Sequence, residues 1–392
     1  MFEARLGDRS LFPTLEARAY LAHAAVSPPS RLVLDAVSRC LEAYAQRGLH
    51  AALEHLQDKS DVRGLGARLL GCEARQLAFV QSTSAGVTTI AHSIPFVPGD
   101  RILTFDAEFP ANVTPWRLIA EEKQLTTVSL PVAAFQRSNE EGLAHVRAEL
   151  ERGARLVAVS QVQFQTGLRM PIAELARLAH AHHAELFVDA IQGLGAVPLD
   201  VRACEVDYLV AGGHKFLMGL EGAGLLYIAD SALARLSLGM AGWTGHEDAF
   251  RFLSEGPGLL RHDRPIVRCA SFVEQGAQSV VGIAALGASL HTLLSLGVDA
   301  IFAHVSAYLD ALEPHLIELG CSSVRSTEVA QRSATLSVTL PRSHTLSEVA
   351  QALRTQGISV STPDGHLRFA PHFANALEEI PLVVRALERA LA

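Results

Sequence analysis

The sequence predicts an α/β protein: a large domain built on a mainly parallel sheet, plus a smaller α+β domain. Three observations predict it. From about residue 60, short bulky or β-branched runs alternate with amphipathic stretches, the pattern of a parallel sheet covered by helices on both faces. After about residue 230 that alternation stops. The chain has 392 residues, 49% apolar and 19% charged, which is ample core for one large and one small domain.

The strand candidates, in order, are QLAFV (76–80), RILTF (101–105), LTTVSL (125–130), RLVAVS (155–160), ELFVD (185–189), DYLVA (207–211) and GLLYI (224–228). Most end near Gly, Ser, Thr or Asp. Among the stretches between them, 172–183 places Ile172, Leu175, Leu178 and Ala179 on one helix face. GMAGWTGHED to EGPGLLRHDRP reads as loop. Helical patterns follow at 277–296 and 299–319, then strand candidates at 334–340, 357–361 and 366–370. A last helix sets Ile380, Val383, Val384, Leu387 and Leu391 on one face. Residues 1–59 are mostly helical and join 60–255 without a clear linker. We assign 60–255 to the large domain, and 1–59 with 256–392 to the small domain and its N-terminal segment.

Composition narrows the function. Thirty-three basic against 41 acidic residues leave a net charge of −8, which gives no reason to expect nucleic acid as the main partner. No uninterrupted apolar run approaches the ~20 residues that cross a bilayer. The N-terminal MFEARLGDRS has mixed charges and no apolar h-region, so no secretory signal is expected. Five cysteines, at 40, 72, 204, 269 and 321, are scattered with no CxxC pair. Neither a disulfide framework nor a zinc site is expected, and a reducing cytoplasm is.

Only three of the 33 basic residues are lysines: Lys59, Lys123 and Lys215. A lineage that writes Arg wherever a charge suffices keeps Lys where an amine that can lose its proton is needed. Lys59 (QDKSD) and Lys123 (EEKQ) read as surface charges. Lys215, in VAGGHKFLMG, lies among glycines and apolar residues.

Ligands of an open α/β sheet bind beyond the carboxyl ends of its strands. QLAFV runs into Gln81, Ser82, Thr83, Ser84, Ala85 and Gly86, then a helical stretch; small and hydroxyl residues opening a helix form an anion site or a simple N-cap. ELFVD ends in Asp189, near Gln192; a carboxylate there can hold a protonated ring nitrogen or cap a helix. DYLVA runs into Gly212, Gly213, His214 and Lys215, where the amine can form an imine with a carbonyl. An anion cradle, an acid for a ring nitrogen and an imine-forming lysine are together what pyridoxal 5'-phosphate (PLP) requires.

Here the chain resembles the class V aminotransferase family of PLP enzymes, which includes cysteine desulfurases, kynureninases and isopenicillin N epimerase. The resemblance runs from YLAHAAVSPPS (20–30) to RFAPHFANALEEI (368–380) and is most specific at DAIQ (189–192) and GGHKF (212–216). EFPANVTPW (108–116) and VQFQTGLRMPI (162–172) resemble the family's intervening motifs, particularly in the epimerase-like branch. It implies the PLP-dependent transferase fold of type I and a homodimer with active sites at the subunit interface. It implies that Lys215 carries the Schiff base and shuttles the proton, Asp189 binds the pyridine nitrogen and Gln192 contacts the phenolic oxygen. Thr83, Ser84 and His214 would bind phosphate, and Phe109 would stack on the ring. Arg368 would grip the α-carboxylate of an amino-acid substrate, with Asn375 nearby.

The chain also departs from the family. Gly212 replaces a frequent hydroxyl residue, and Gly276–Ala277 replace a frequent GT pair, unless Gln278 or Ser279 substitutes for that Thr. Residues 322–392 hold no Cys, where desulfurases carry a mobile one, so the sequence argues against a cysteine desulfurase; Cys321 reads as a buried small residue. The expected chemistry is a Cα carbanion stabilised on PLP, with an aminotransferase-like outcome favoured. A C–S or other β-lyase comes second and an epimerase third, since Phe109 offers no second acid or base; a non-catalytic binding module is the rival from another class. The side-chain pocket is expected from Phe164, Gln165, Trp243 and His246. GLGARLLG (64–71) reads as helix and the His180, His182, His183 group as a solvated helix end. Asp106 and Glu108 read as flanks of Phe109, and among seventeen histidines only His214 has an assigned role.

Overall fold

The computed structural model describes residues 4–253 and 255–392. Chain order begins with β1 (Ala19–Tyr20), α1 (Arg31–Arg47), α2 (Leu49–Leu70), β2 (Leu77–Val80), α3 (Thr83–Ser93), β3 (Arg101–Phe105), α4 (Thr114–Lys123) and β4 (Thr126–Leu130). Then come α5 (Val132–Arg137), α6 (Asn139–Leu150), β5 (Leu156–Ser160), α7 (Ile172–Ala181), β6 (Glu185–Asp189), β7 (Tyr208–Gly212), β8 (Gly224–Ile228) and α8 (Asp230–Leu233). The remainder holds α9 (Val280–Leu296), α10 (Val298–Glu318), β9 (Ser322–Ser323), β10 (Leu336–Thr339), α11 (Leu346–Thr355), β11 (Ile358–Ser359), β12 (Leu367–Phe369) and α12 (Ile380–Ala390).

All seven strand candidates join one sheet, in the order β2-β8-β7-β6-β5-β3-β4. Only β8 runs against its neighbours. Alternation of side chains explains why the sheet is covered on both sides. Leu156 and Ala158 of β5 enter one apolar cluster, and Val157 and Val159 enter the other. Phe187 and Val188 of β6 divide in the same way. The edge strand β4 differs: Thr126 and Thr127 are exposed, and β4 has a neighbouring strand, β3, on one side alone.

The glycine- and proline-rich stretch forms loops and short 3-10 turns at Trp243–Gly245 and Arg251–Leu253. α9 starts at Val280, three residues inside the predicted pattern, because Ser279 caps it: Ser279 Oγ accepts from Gly282 N at 3.1 Å. β12, β10 and β9 form a small antiparallel sheet, and β1 pairs in parallel with β11. The N-terminal segment is thus stitched to the C-terminal part. The division drawn between residues 59 and 60 falls inside the unbroken α2.

Candidate active site

The site forms along one edge of the large sheet. β5, β6 and β7 are parallel neighbours, so Ser160, Asp189 and Gly212 end at the same edge. β2 points the same way, since Val80 and Gly212 both align with Gly224 of the antiparallel β8. Residues far apart in sequence therefore converge.

Ser82 caps α3, its Oγ accepting from Ala85 N at 3.1 Å. Thr83 and Ser84 follow in the first turn, at the positive end of the helix. Thr83 Oγ1 accepts from Gly212 N at 3.0 Å and keeps its own proton to donate. Ser84 is exposed and lines a cavity with Gln81, Gly276 and Gln278. The helix approaches the sheet closely: a Cβ on Gly86 would stand 2.5 Å from Val210 Cγ2. Gly212 also has a physical reason. A Cβ there would lie 3.2 Å from Ile191 Cδ1 and 3.3 Å from Thr83 Oγ1, so a side chain would press tightly on both. His214 is partly buried, and burial followed by the charge of Lys215 lowers its pKa.

Asp189 is 2% exposed, and its Oδ1 accepts from Ile191 N at 3.0 Å, with no other partner among the described residues. Burial raises its pKa, the Ile191 hydrogen bond opposes that, and the nearby Glu108 carboxyl adds to the rise. Lys215 is the mirror case. Burial lowers the pKa of its amine, Asp189 opposes the change and Arg368 reinforces it. The two groups attract across the cleft, yet among the described residues no carboxylate pairs directly with Lys215. Lys215 Nζ stands 5.4 Å from the centroid of the Phe109 ring. That ring is 42% exposed and meets the Phe164 ring edge-on at 5.3 Å and 81°. Gln192 is buried, with one amide hydrogen on Ala24 O at 3.2 Å and one remaining.

Arg368 is 4% exposed. It donates from Nε to Ser361 Oγ at 3.0 Å and from Nη1 to Phe164 O at 2.6 Å. No carboxylate pairs with it among the described residues, and burial pushes its pKa down to about 10. A buried guanidinium without a counter-ion is a receptor for one.

Four expectations are corrected. Asn375 was expected to bind substrate, but its amide is committed within the chain: Nδ2 donates to Tyr20 O at 3.1 Å and to Glu379 Oε2 at 3.0 Å, and Oδ1 accepts from His372 N at 2.8 Å. Its amide holds the loop after β12. Trp243 packs with Phe250 and Phe252, and His246 Nδ1 bonds Arg264 O at 2.8 Å; of the expected pocket, Phe164 is the residue whose ring meets Phe109 among the described residues, while Gln165 pairs with Asp364. Lys59 is not a free surface charge, for its Nζ lies 2.6 Å from the buried Glu274, which Arg63 also holds. Glu108 does more than flank Phe109. Its buried carboxylate accepts from Ser160 N at 2.6 Å, from Ser160 Oγ and from Gln163 Nε2 at 3.2 Å, and so anchors the turn that presents Phe109. The juxtaposition of Glu with Phe-Pro was the one local sign of this. Both proposed replacements for the missing Thr are partly engaged: Ser279 Oγ accepts at the α9 cap and keeps its proton, and Gln278 Nε2 donates one hydrogen to Phe79 O at 2.9 Å, while its Oε1 has no partner among the described residues.

The donor set fits PLP. A buried acid with one uncommitted oxygen, a desolvated lysine held apart from it, an aromatic face left half-exposed and a helix N-terminus with hydroxyls are each unsatisfied within the chain. Together they match a ring nitrogen, an aldehyde, a ring face and a phosphate.

Comparison with known proteins agrees. The family Aminotransferase class-V matches residues 19–386. A cysteine desulfurase of Dickeya dadantii is 31% identical, over 91% of this chain and 86% of that protein. An uncharacterised aminotransferase of Bacillus subtilis, YcbU, is 26% identical over 95% and 94%. Among solved structures, apo cysteine desulfurase from Thermococcus onnurineus NA1 superposes with a TM-score of 0.86 at 22% identity, covering 99% of both chains. The cystine C–S lyase C-DES, in complex with its product cysteine persulfide, gives 0.86 at 22% identity over 96% and 99%. The argument from residues 322–392 against a cysteine desulfurase finds no support in these relatives, several of which bear that name. Fold, donor set and relatives lead to one statement: the chain belongs to the class V aminotransferase family, whose cofactor is PLP.

Proposed function

We propose that the protein cleaves the Cβ–S bond of a small cysteine-like α-amino acid. The observation that carries the substrate class is Arg368, a buried guanidinium that lacks a carboxylate of its own beside Lys215. Bound PLP supplies an electron sink conjugated with the substrate nitrogen. Asp189 would keep the ring nitrogen protonated, its oxygen not used by Ile191 N being the acceptor for that proton's hydrogen bond. Thr83, Ser84 and His214 would hold the phosphate, Gln192 the phenolic oxygen, and Phe109 would stack on the ring. Arg368 orients the carboxylate so that the Cα–H faces Lys215. The desolvated Lys215 amine, with its pKa lowered by burial, takes the Cα proton; the pair left on Cα forms a Cα=Cβ double bond as the Cβ–S bond breaks, and sulfur leaves with that bond's electron pair and takes up a proton. The names of the relatives favour this outcome over transamination. The exposed Trp243, Phe250 and Phe252 support a homodimer whose interface covers them.

The test is incubation of PLP-loaded protein with cysteine or cystine alone. Sustained release of sulfide or persulfide supports the reading. Stoichiometric conversion of the cofactor to its amine form, with turnover only after a keto acid is added, makes it an aminotransferase instead.

A further inference from the structure

Three successive carbonyls at the lysine accept hydrogen bonds from outside the large sheet. Ser27 N donates to His214 O at 2.7 Å. Ser27 Oγ donates to Lys215 O at 2.7 Å. His372 Nε2 donates to Phe216 O at 3.0 Å. The directions follow from the partners. A carbonyl only accepts, so the Ser27 hydroxyl gives its one proton to Lys215 O and accepts from His23 Nδ1, 2.7 Å away. Phe373 N donates to His372 Nδ1 at 2.8 Å, so the His372 proton is on Nε2. Both imidazoles are buried, which lowers their pKa values, and their rings pack at 5.4 Å.

The same residues are tied to the carboxylate grip. Arg368 lies in β12, and His372 follows four residues later. Ala370 N donates to Leu21 O at 2.7 Å, and His23 N donates to Ala370 O at 3.2 Å. The strand that carries Arg368 therefore continues into the residues that hold peptides 214–216, on the His23 side and on the His372 side.

We propose that His23, Ser27 and His372 are positioning residues that fix the Lys215 backbone relative to Arg368. They thereby set the placement of the amine against the Cα–H of a substrate held by its carboxylate. The proposal rests on Lys215 being the cofactor lysine and is indifferent to which bond breaks afterwards. A displacement of about 1 Å between base and proton costs on the order of 10²-fold in rate.

The experiment compares Ser27→Ala, His372→Leu and His372→Gln with the parent PLP-loaded protein. It reads the visible cofactor band, PLP affinity, kcat, KM and the Cα-deuterium isotope effect. In Ser27→Ala and His372→Leu, kcat is expected to fall about 10–100-fold. The isotope effect should rise while band, PLP affinity and KM stay near those of the parent. His372→Gln, which keeps an N–H donor for Phe216 O, should recover part of kcat. Unchanged kcat and isotope effect in Ser27→Ala overturn the proposal, as does a loss that only tracks lost cofactor or folded protein. A Lys215→Ala protein that keeps the band overturns the reading of Lys215 itself, and the proposal with it, by a separate signal.

Discussion

The two flanks of Lys215 use hydrogen-bonding capacity in opposite ways. On the sheet flank, Asp189 accepts one backbone hydrogen bond, Phe109 leaves much of its ring bare, and the first turn of α3 presents Thr83 and Ser84. On the other flank, Ser27, His372 and Asn375 are saturated by His23, by Glu379 and by backbone. Buried polar groups are normally satisfied. Those left open in a cleft wait for a ligand, and those closed off hold something in place. Arg368 shows that the distinction follows bonding and not location. It belongs to the saturated flank, yet its guanidinium lacks an anion.

The strongest way to break this comparison is to remove the group that both flanks serve. Lys215→Ala should abolish the visible cofactor band and lower turnover by more than about 10³-fold, in line with losing a general acid–base that also bonds the cofactor. A band that survives would mean that the open groups are not arranged around this amine. Asp189→Asn comes next. It keeps shape and the Ile191 contact but cannot pair with a protonated ring nitrogen. Charge-assisted hydrogen bonds contribute ~1.5–3 kcal/mol, so kcat should fall about 10–100-fold, with a shifted pH dependence of the band. An unaltered rate would place Asp189 among the merely structural acids.

The saturated flank predicts an effect of pH on stability. Burial holds the His372 pKa down to about 4, whereas the unfolded chain binds that proton near the ordinary value of ~6.5. Between those two pH values the unfolded state takes up a proton that the folded state refuses. Acid therefore favours unfolding across that window, by at most ~1.4 kcal/mol per pH unit for this one group. His23, lowered by burial and then by His372, acts in the same direction. Urea midpoints measured from pH 7 to pH 4 should fall more steeply in the parent than in His372→Gln. Equal slopes would show that the imidazole is not held neutral.

The open flank was legible in the sequence because its groups sit just past strand ends. A run of apolar residues followed by Thr83, by Asp189 or by Gly-Gly-His-Lys can be read in a window of ten residues. The seven strands were legible for the same local reason. The saturated flank was not. Ser27 serves a carbonyl 188 residues away, and Lys59 answers Glu274; neither pairing leaves a trace in local composition. Asn375 was placed with the substrate because it lies close to Arg368 in sequence. After a three-residue strand the chain turns, and the amide faces Tyr20 and Glu379 instead.

The smallest effect, and the one that sharpens the comparison most finely, is at Phe109. Its ring belongs to the open flank, but the turn below it is closed by Glu108 on Ser160 and Gln163 and by Asn112 Oδ1 accepting from Trp116 Nε1 at 3.1 Å. Phe109→Leu removes the aromatic face and leaves that base intact. Aromatic contacts contribute ~0.5–1.5 kcal/mol beyond area, so PLP affinity should weaken by roughly 2- to 10-fold, with the thermal midpoint nearly unchanged because the ring is already half in solvent. Glu108→Ala reverses the balance. The ring is still present, but Ser160 N loses its buried acceptor and the turn its anchor, so stability should fall as well as affinity. Titration of the apo-protein with PLP, followed by the visible band beside a thermal melt, separates the two. If Phe109→Leu lowers stability and leaves affinity untouched, the ring is core and not a stacking face, and the open flank ends at Lys215.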